Sequence, residues 1–429
     1  MSNNARTTTT IEELITSGAI VAHKDGNYGS NYPRVEEFGL DGVPFLTAKS
    51  LRDGYVDIAS APRLADARAD ELRFGFVEPD DVLLSHNATI GRVAVVPPHK
   101  GRLLVGTSLT YFRLNPQKLL PRYFAVYLAG SDFQNQLVAV MSHSTRNQVP
   151  VTAQRKLEVV VPPLAEQKAI AAVLGALDDK IELNRRTNAT LEAMARALFQ
   201  SWFVDFDPVR AKLDGRQPTG LDSATAALFP NEFEESELGP IPKGWRVGSI
   251  YEITEIIYGA SFASKLFNTN REGKPLVRIR DLADESPGVW TPEVHPKGYT
   301  VRPGDIVVGM DGEFRAYLWG GAEAWLNQRV CVFAPKPGYS AAFIRNSIFA
   351  QLAQVEATET ATTVIHIGKS DIDRFIVLIP DAPVAEAFKR QCQAWYDEIV
   401  ANKRQSRTLA SLRETLLPKL LSGEVSVLR

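Results

Sequence analysis

Asp179-Lys180-Ile181-Glu182-Leu183-Asn184-Arg185-Arg186, in the middle of the chain, is written again near its end as Asp397-Glu398-Ile399-Val400-Ala401-Asn402-Lys403-Arg404. The offset is 218 (397 against 179), and it also joins Thr190 to Thr408, Leu191 to Leu409 and Leu198 to Leu416. An offset held over several helical turns marks two copies of one long helix, and a repeat of this size marks a pseudo-dimer within one chain. The repeat continues outward. Val159-Val160-Val161-Pro162 matches Val377-Leu378-Ile379-Pro380 in the same register, and Gly106-Thr107-Ser108-Leu109 matches Asn327-Gln328-Arg329-Val330 at 221. Residues 78–84 match 302–308 at 224, and Gly42-Val43-Pro44-Phe45-Leu46 matches Gly273-Lys274-Pro275-Leu276-Val277 at 231. Chance matches scatter; an offset that drifts one way in small steps is that of a duplicated domain with a few loop deletions.

Each half therefore carries a globular part followed by a helix. The globular parts mix short β-branched runs (81–84, 92–96 and 157–161; 306–308, 330–334 and 375–379) with turn residues and helical stretches such as 122–128. This reads as α/β or α+β with a substantial sheet in each half. Val204 to Pro240, rich in Pro, Gly and acidic residues, reads as a linker. In the first helix Ile170, Leu177, Asn184, Leu191 and Leu198 recur every seven residues, with Leu174, Ile181, Asn188, Ala195 and Trp202 four later: an a/d heptad seam. The second helix gives Phe388, Trp395, Asn402, Leu409 and Leu416 as a, and Cys392, Ile399, Ser406, Arg413 and Leu420 as d. Arg413 is a poor d residue, so Leu412 is a candidate replacement there, as Met194 is in the first copy. Both copies place Asn at the same central a position. Either Asn184 and Asn402 meet across an antiparallel helix pair, where a polar a residue fixes register, or each is a surface Asn on an amphipathic helix.

At 429 residues the chain is too long for a single core, and 45% hydrophobic with 23% charged residues is an ordinary globular composition. Cys331 and Cys392 stand alone, so neither a disulfide framework nor a zinc site is expected, which fits a reducing cytoplasm. No apolar run approaches the roughly 18 residues of a membrane span, and the start of the chain is not a signal peptide. A net charge of −2 argues mildly against nucleic acid unless positive charge is confined to particular faces.

Catalytic signatures are absent. Ile367-Gly368-Lys369-Ser370 ends like a phosphate-binding loop, but position 363, where the first glycine belongs, is Thr363. Asn115-Pro116-Gln117-Lys118 lacks the second Pro and the aromatic residue of the amino-methyltransferase motif. Asp178/Asp179 and Asp205/Asp207 could hold Mg²⁺ but read better as an exposed helix face and a linker. The six histidines are dispersed. No metal and no cofactor is expected in this chain.

Four stretches carry a resemblance. Val161-Pro162-Pro163-Leu164-Ala165-Glu166-Gln167-Lys168-Ala169-Ile170, continued by Leu177-Asp178-Asp179-Lys180-Ile181, and Leu198 to Val209 resemble the central region of type I restriction-modification specificity subunits. Glu237 to Trp245 resembles the opening of their second recognition domain, and Leu416 to Glu424 their C-terminal ending. The second copy departs from the pattern, with Pro380-Asp381-Ala382-Pro383 for Pro-Pro-Leu and Glu386-Ala387 for Glu-Gln, which leaves its helix start open. The resemblance implies recognition domains at 1–163 and 241–382, spacer helices at 164–203 and 383–422, the linker at 204–240 and a tail at 423–429. It also implies that each recognition domain reads one part of a bipartite, asymmetric double-stranded DNA target. The antiparallel helices would act as a ruler; residues 166–200 as one helix span about 50 Å at ~1.5 Å per residue. Two methyltransferase subunits carrying S-adenosylmethionine would dock on this framework, and two motor-nuclease subunits using ATP and Mg would join them. The chain itself would be non-catalytic. A methylation-only or solitary DNA-binding protein is the alternative.

Base reading uses Arg or Lys for guanine and Asn or Gln for adenine. Ser144, Thr145, Arg146, Asn147 and Gln148 pack these types just before the closing strand of the first half. The equivalent segment holds Thr362, Thr363 and His366, with Lys369 beyond. A second candidate group is His86, Asn87 and Arg92, matched by Arg315. Lys49 and Arg52, and in the second half Lys265, Lys274, Arg278 and Arg280, are expected as phosphate contacts. The plainer alternatives are capped surface turns and solvated charges.

Overall fold

The computed structural model describes residues 7–27, 29, 32–52, 54–142, 147–358 and 365–426. The chain divides into two compact units, residues 1–183 with 407–429, and residues 184–406. Each of the two long helices, Leu164–Phe203 and Ala382–Ser422, contributes one part to each unit.

In the first unit a four-stranded antiparallel sheet runs in the order Ile20–Asp25, Leu109–Leu114, Val82–Ser85, Val93–Val95. The second unit repeats it as Thr254–Tyr258, Val330–Pro335, Ile306–Gly309, Ala316–Leu318. Beside it, Val43–Leu46 pairs in parallel with Leu104–Val105, as Lys274–Val277 does with Ala324–Leu326. The first strand of each half closes against the last, Thr7–Thr10 on Glu158–Val161 and Arg246–Ser249 on Ile376–Ile379. The mixed α/β class expected from the sequence is therefore present twice, with the same pairings. The central strands read as apolar runs because both faces are covered: Val82, Leu83 and Leu84 are all buried, as are Ile306, Val307 and Val308.

The helix pairing follows the heptad seam, and it is antiparallel in both units. In the second unit Ala195, Trp202 and Phe203 of the first helix share a core with Phe388, Cys392 and Ile399 of the second. Leu191, Leu198 and Trp395 pack against that core part-buried. In the first unit Ile170 and Leu174 share a core with Leu417 and Leu420, with Leu177 and Leu416 at its edge. Ile181 and Leu409 are half-buried. Asn184 and Asn402 are buried and adjacent, and their bonds are reciprocal. Asn184 Nδ2 donates to the Asn402 carbonyl (3.3 Å), Gln405 Oε1 (2.8 Å) and Ser406 Oγ (3.3 Å), while Asn402 Nδ2 donates to Asn188 Oδ1 (3.0 Å). Each Asn thus reaches the d residue of the opposite helix, an exchange that any slip in register would break.

Several expectations change. Met194 and Leu412 do not replace their neighbours in the seam, for both are exposed. Arg413 stays and donates to Asp178 Oδ1 at 2.6 Å, which half-buries Asp178, while Asp179 lies exposed on the helix as expected and pairs with Arg122. The second long helix starts at Ala382, 218 residues after Leu164, so Ala385, not Ala387, stands where Gln167 does. Gln167 is buried and ties the first helix to the Leu120 amide and the Pro162 and Lys118 carbonyls. Ala385 fills the corresponding space without those bonds. The segment read as a linker is folded: it forms helices Asp207–Leu213 and Ser223–Ala227, and its Val209 and Phe229 lie in the second unit's core. Its Pro and Gly residues mark turns between short elements rather than an unstructured connection.

Candidate nucleic-acid interface

In each unit the end of the second sheet strand meets the segment that precedes the closing strand, and the two are held by the same three backbone bonds. In the first unit the Ala88 amide donates to the Asn147 carbonyl, Val149 to His86, and His86 to Ser108. In the second, Gly312 donates to Ile365, Ile367 to Met310, and Met310 to Arg329. Isolated bridges complete the match, Asn87 with Gln148 and Asp311 with His366. The left-handed backbone at Ala88 (φ 62°) and Gly312 (φ 81°) is shared as well. The staple is backbone and therefore identical, while the side chains it displays are free to differ.

In the first unit it displays amides. Asn147 is exposed and its Nδ2 donates to the Ala88 carbonyl at 3.0 Å; Gln148 and Asn87 are half-exposed. In the second unit it displays an Asp-His-Arg group. Asp311 Oδ1 lies 2.7 Å from His366 Nδ1 and 3.4 Å from Arg329 Nη1. The Met310 carbonyl also faces His366 Nδ1, at 2.9 Å. Two oxygens on one ring nitrogen favour the tautomer with its proton there. Arg329 Nη1 is 3.0 Å from Nδ1, already a donor in that tautomer, and 3.4 Å from Nε2, which is the ring nitrogen left to accept from the guanidinium.

The remaining candidates separate by what holds them. Lys49 and Arg280 occupy the same turn in the two units, Ala48–Ser50 and Ile279–Asp281, and both are exposed. Arg52 is exposed beside Lys49, its Nε 3.5 Å from the Lys49 carbonyl, and Lys265 is exposed on the Ser264–Leu266 turn. These four fit the phosphate role. Others have partners within the protein. Arg92 Nη1 donates to the Ala48 and Leu51 carbonyls (3.2 and 3.1 Å) and so fixes the turn that carries Lys49. Arg278 is held by Asp281 through two bonds, at 3.0 and 3.2 Å. Arg315 is neutralised by Glu356 (2.9 Å) and Glu313 (3.5 Å), and Lys369 by Asp373 (3.0 Å). Lys274 donates to Thr300 and lies 4.5 Å from the centre of the Trp325 ring. His86 is corrected outright: it is fully buried, its Nε2 3.2 Å from Asp25 Oδ1, at the position that buried Met310 fills in the second copy. Ser144, Thr145, Arg146, Thr362 and Thr363 lie outside the described residues.

The family described as Type I restriction modification DNA specificity domain matches residues 42–193 and again 242–390, one match in each half of the repeat. The chain belongs to this family. Among its relatives, the type I restriction enzyme HindI specificity subunit of Haemophilus influenzae is 24% identical over 399 residues, covering 78% of this chain and 84% of that protein. The EcoBI specificity subunit of Escherichia coli is 33% identical over 147 residues, 34% of this chain and 31% of its own. The solved type I restriction-modification system S subunit from M. genitalium aligns with 98% of this chain and 97% of its own, at a TM-score of 0.50 and 14% identity, a likeness of fold.

Within this specificity-domain chain the residue that sequence reasoning passed over is Arg329. The alignment of Gly106-Thr107-Ser108 with Asn327-Gln328-Arg329 held the signal. At a position where the backbone repeats, a small inward residue in one copy faces an arginine in the other. Among the described residues no group of three or more His, Cys, Asp or Glu is placed to hold a metal ion, and no helix is long and apolar enough to cross a membrane.

Proposed function

We propose that this chain is the sequence-specific DNA-binding specificity subunit of a type I restriction-modification complex. Each half reads one part of a bipartite, asymmetric double-stranded target. The paired helices set the unspecified spacer and dock two methyltransferase subunits. The chain has no catalytic role. S-adenosylmethionine, ATP and Mg are held by the partners, which include two motor-nuclease subunits in the full complex, and the assembly works in the cytoplasm. One observation carries this reading: the same backbone staple recurs in both units while the side chains on it differ, amides in one and an Asp-His-Arg group in the other. Forty residues of helix at ~1.5 Å each extend about 60 Å, the length of some seventeen base pairs at ~3.4 Å.

Co-expression with the methyltransferase subunit of the same host, followed by native mass measurement, tests the assembly. The expected species contains one copy of this chain and two methyltransferase subunits, and binds S-adenosylmethionine only when assembled. A one-to-one complex, or tight S-adenosylmethionine binding by this chain alone, contradicts it.

A further inference from the structure

Arg329 is exposed over just over half of its side chain, yet its position is fixed on three sides. Its backbone is left-handed (φ 69°), a conformation unfavourable for a non-glycine residue that the neighbouring bonds must hold. Its carbonyl accepts from the Met310 amide at 2.8 Å, the bond that in the first unit runs from His86 to Ser108. Its guanidinium is braced by Asp311 Oδ1 and by Nε2 of His366, each 3.4 Å from Nη1. At the equivalent position Ser108 turns inward, and its Oγ accepts from the Ala48 amide at 2.9 Å, tying down the Lys49 turn. The same scaffold site thus serves packing in one copy and presents an oriented cation beside the stapled segment in the other.

Bracing fixes the direction of the guanidinium, which reading one base edge requires and neutralising a phosphate does not. A braced, planar fork is suited to one base edge, the O6 and N7 acceptors of guanine in the major groove. We propose that Arg329 is the guanine-reading residue of the second unit, with Asp311 and His366 as its positioning residues. This rests on the specificity-subunit reading above and adds a defined base in one half-site.

The test is genome-wide mapping of methylated adenine in a host carrying the complex with the wild-type chain, Arg329→Lys, Arg329→Ala or Asp311→Asn. Lysine and alanine carry the same Cβ as arginine, so the left-handed backbone is strained no more than before. Both substitutions should relax one G·C position of one half-site, with the preference for that pair falling roughly tenfold or more, while the other half-site and the spacer stay unchanged. Asp311→Asn should loosen the same position and no other. If Arg329→Lys keeps the wild-type motif while Arg329→Ala weakens methylation at all sites alike, Arg329 is a phosphate contact and the proposal fails. An unaltered motif in both variants also overturns it. A wild-type motif without two separated parts would instead overturn the specificity-subunit reading itself, so the two failures are distinct.

Discussion

Replacing Phe388 by alanine is expected to destabilise the second unit by about 3–5 kcal/mol, a large share of the 5–15 kcal/mol that holds a typical domain folded. Phe388 is fully buried at an a position of the second long helix. Its ring lies 5.1 Å from Phe203, 5.8 Å from Trp202 and 6.0 Å from Phe199, all on the opposite helix, and 6.0 Å from Phe343 on the helix Ala341–Thr358. These contacts are edge-on, the arrangement aromatic quadrupoles favour. Alanine would remove the ring that joins the helix pair to the globular part and leave a cavity among side chains too large to collapse into it. Urea unfolding followed by tryptophan fluorescence reads this unit alone, because all six tryptophans (Trp202, Trp245, Trp290, Trp319, Trp325 and Trp395) fall within it. Phe388→Leu should recover most of the loss. A loss under about 1 kcal/mol for the alanine variant would mean that this junction is not a packed core.

Acidification is expected to weaken the first unit through His23. The ring is buried and stacked 4.5 Å from Phe112. Gln154 spends its Nε2 on Thr110 Oγ1 and the Val149 carbonyl, so its Oε1 must accept from His23 Nε2, at 3.1 Å. That assigns the proton to Nε2 and leaves Nδ1 buried with no hydrogen-bond partner. A second proton would have to sit on Nδ1 in apolar surroundings. Burial accordingly lowers the His23 pKa from 6.5 to about 4, against the opposing bond from Gln154.

The sign follows from which state binds the proton first. The unfolded chain takes it up near 6.5 and the folded chain only near 4, so this contribution is fully present above pH 6.5 and fades as pH falls toward 4. The shift corresponds to about 3 kcal/mol. The second copy has Ile256 facing Phe333 where His23 faces Phe112, and Ile372 where Gln154 stands. The double variant His23→Ile with Gln154→Ile should remove the pH dependence at little cost near pH 7, since exchanging both partners for apolar groups leaves nothing unpaired. Gln154→Ile alone should be costly, because it strands both ring nitrogens. The measurement is the urea midpoint by far-UV circular dichroism between pH 7 and 4.5, compared between wild type and double variant. Equal pH slopes for the two proteins would remove His23 as the cause.

The repeat, the seam and the Asn pair were legible because they rest on periodicity, which one sequence displays directly. The candidate interface was legible only in outline. Its place beside the closing strand could be read, and Asn147, Gln148 and His366 do stand at the staple. Residue type alone could not tell a displayed cation from one used internally. Arg92 and Arg278 resemble Lys49 and Arg280 in sequence, yet the first two hold turns and the last two face solvent. His86 looked like a base reader among polar neighbours, but it follows a strand covered on both faces and is itself buried, as Met310 is in the other copy. The linker was misread because its turns are as rich in Pro and Gly as a disordered connection. Arg329 was missed for the opposite reason. A lone arginine in an apolar strand start carries no motif, and only its brace by Asp311 and His366, distant in sequence, sets it apart.

The central claim is that two copies of one scaffold, differing in what they display, read two different parts of one target. Mapping methylated adenines in a host that carries the wild-type chain with its methyltransferase subunits tests this most directly. The account predicts a single asymmetric motif of two defined parts separated by a fixed run of unspecified bases. A continuous motif, or one whose two parts are identical, would contradict it.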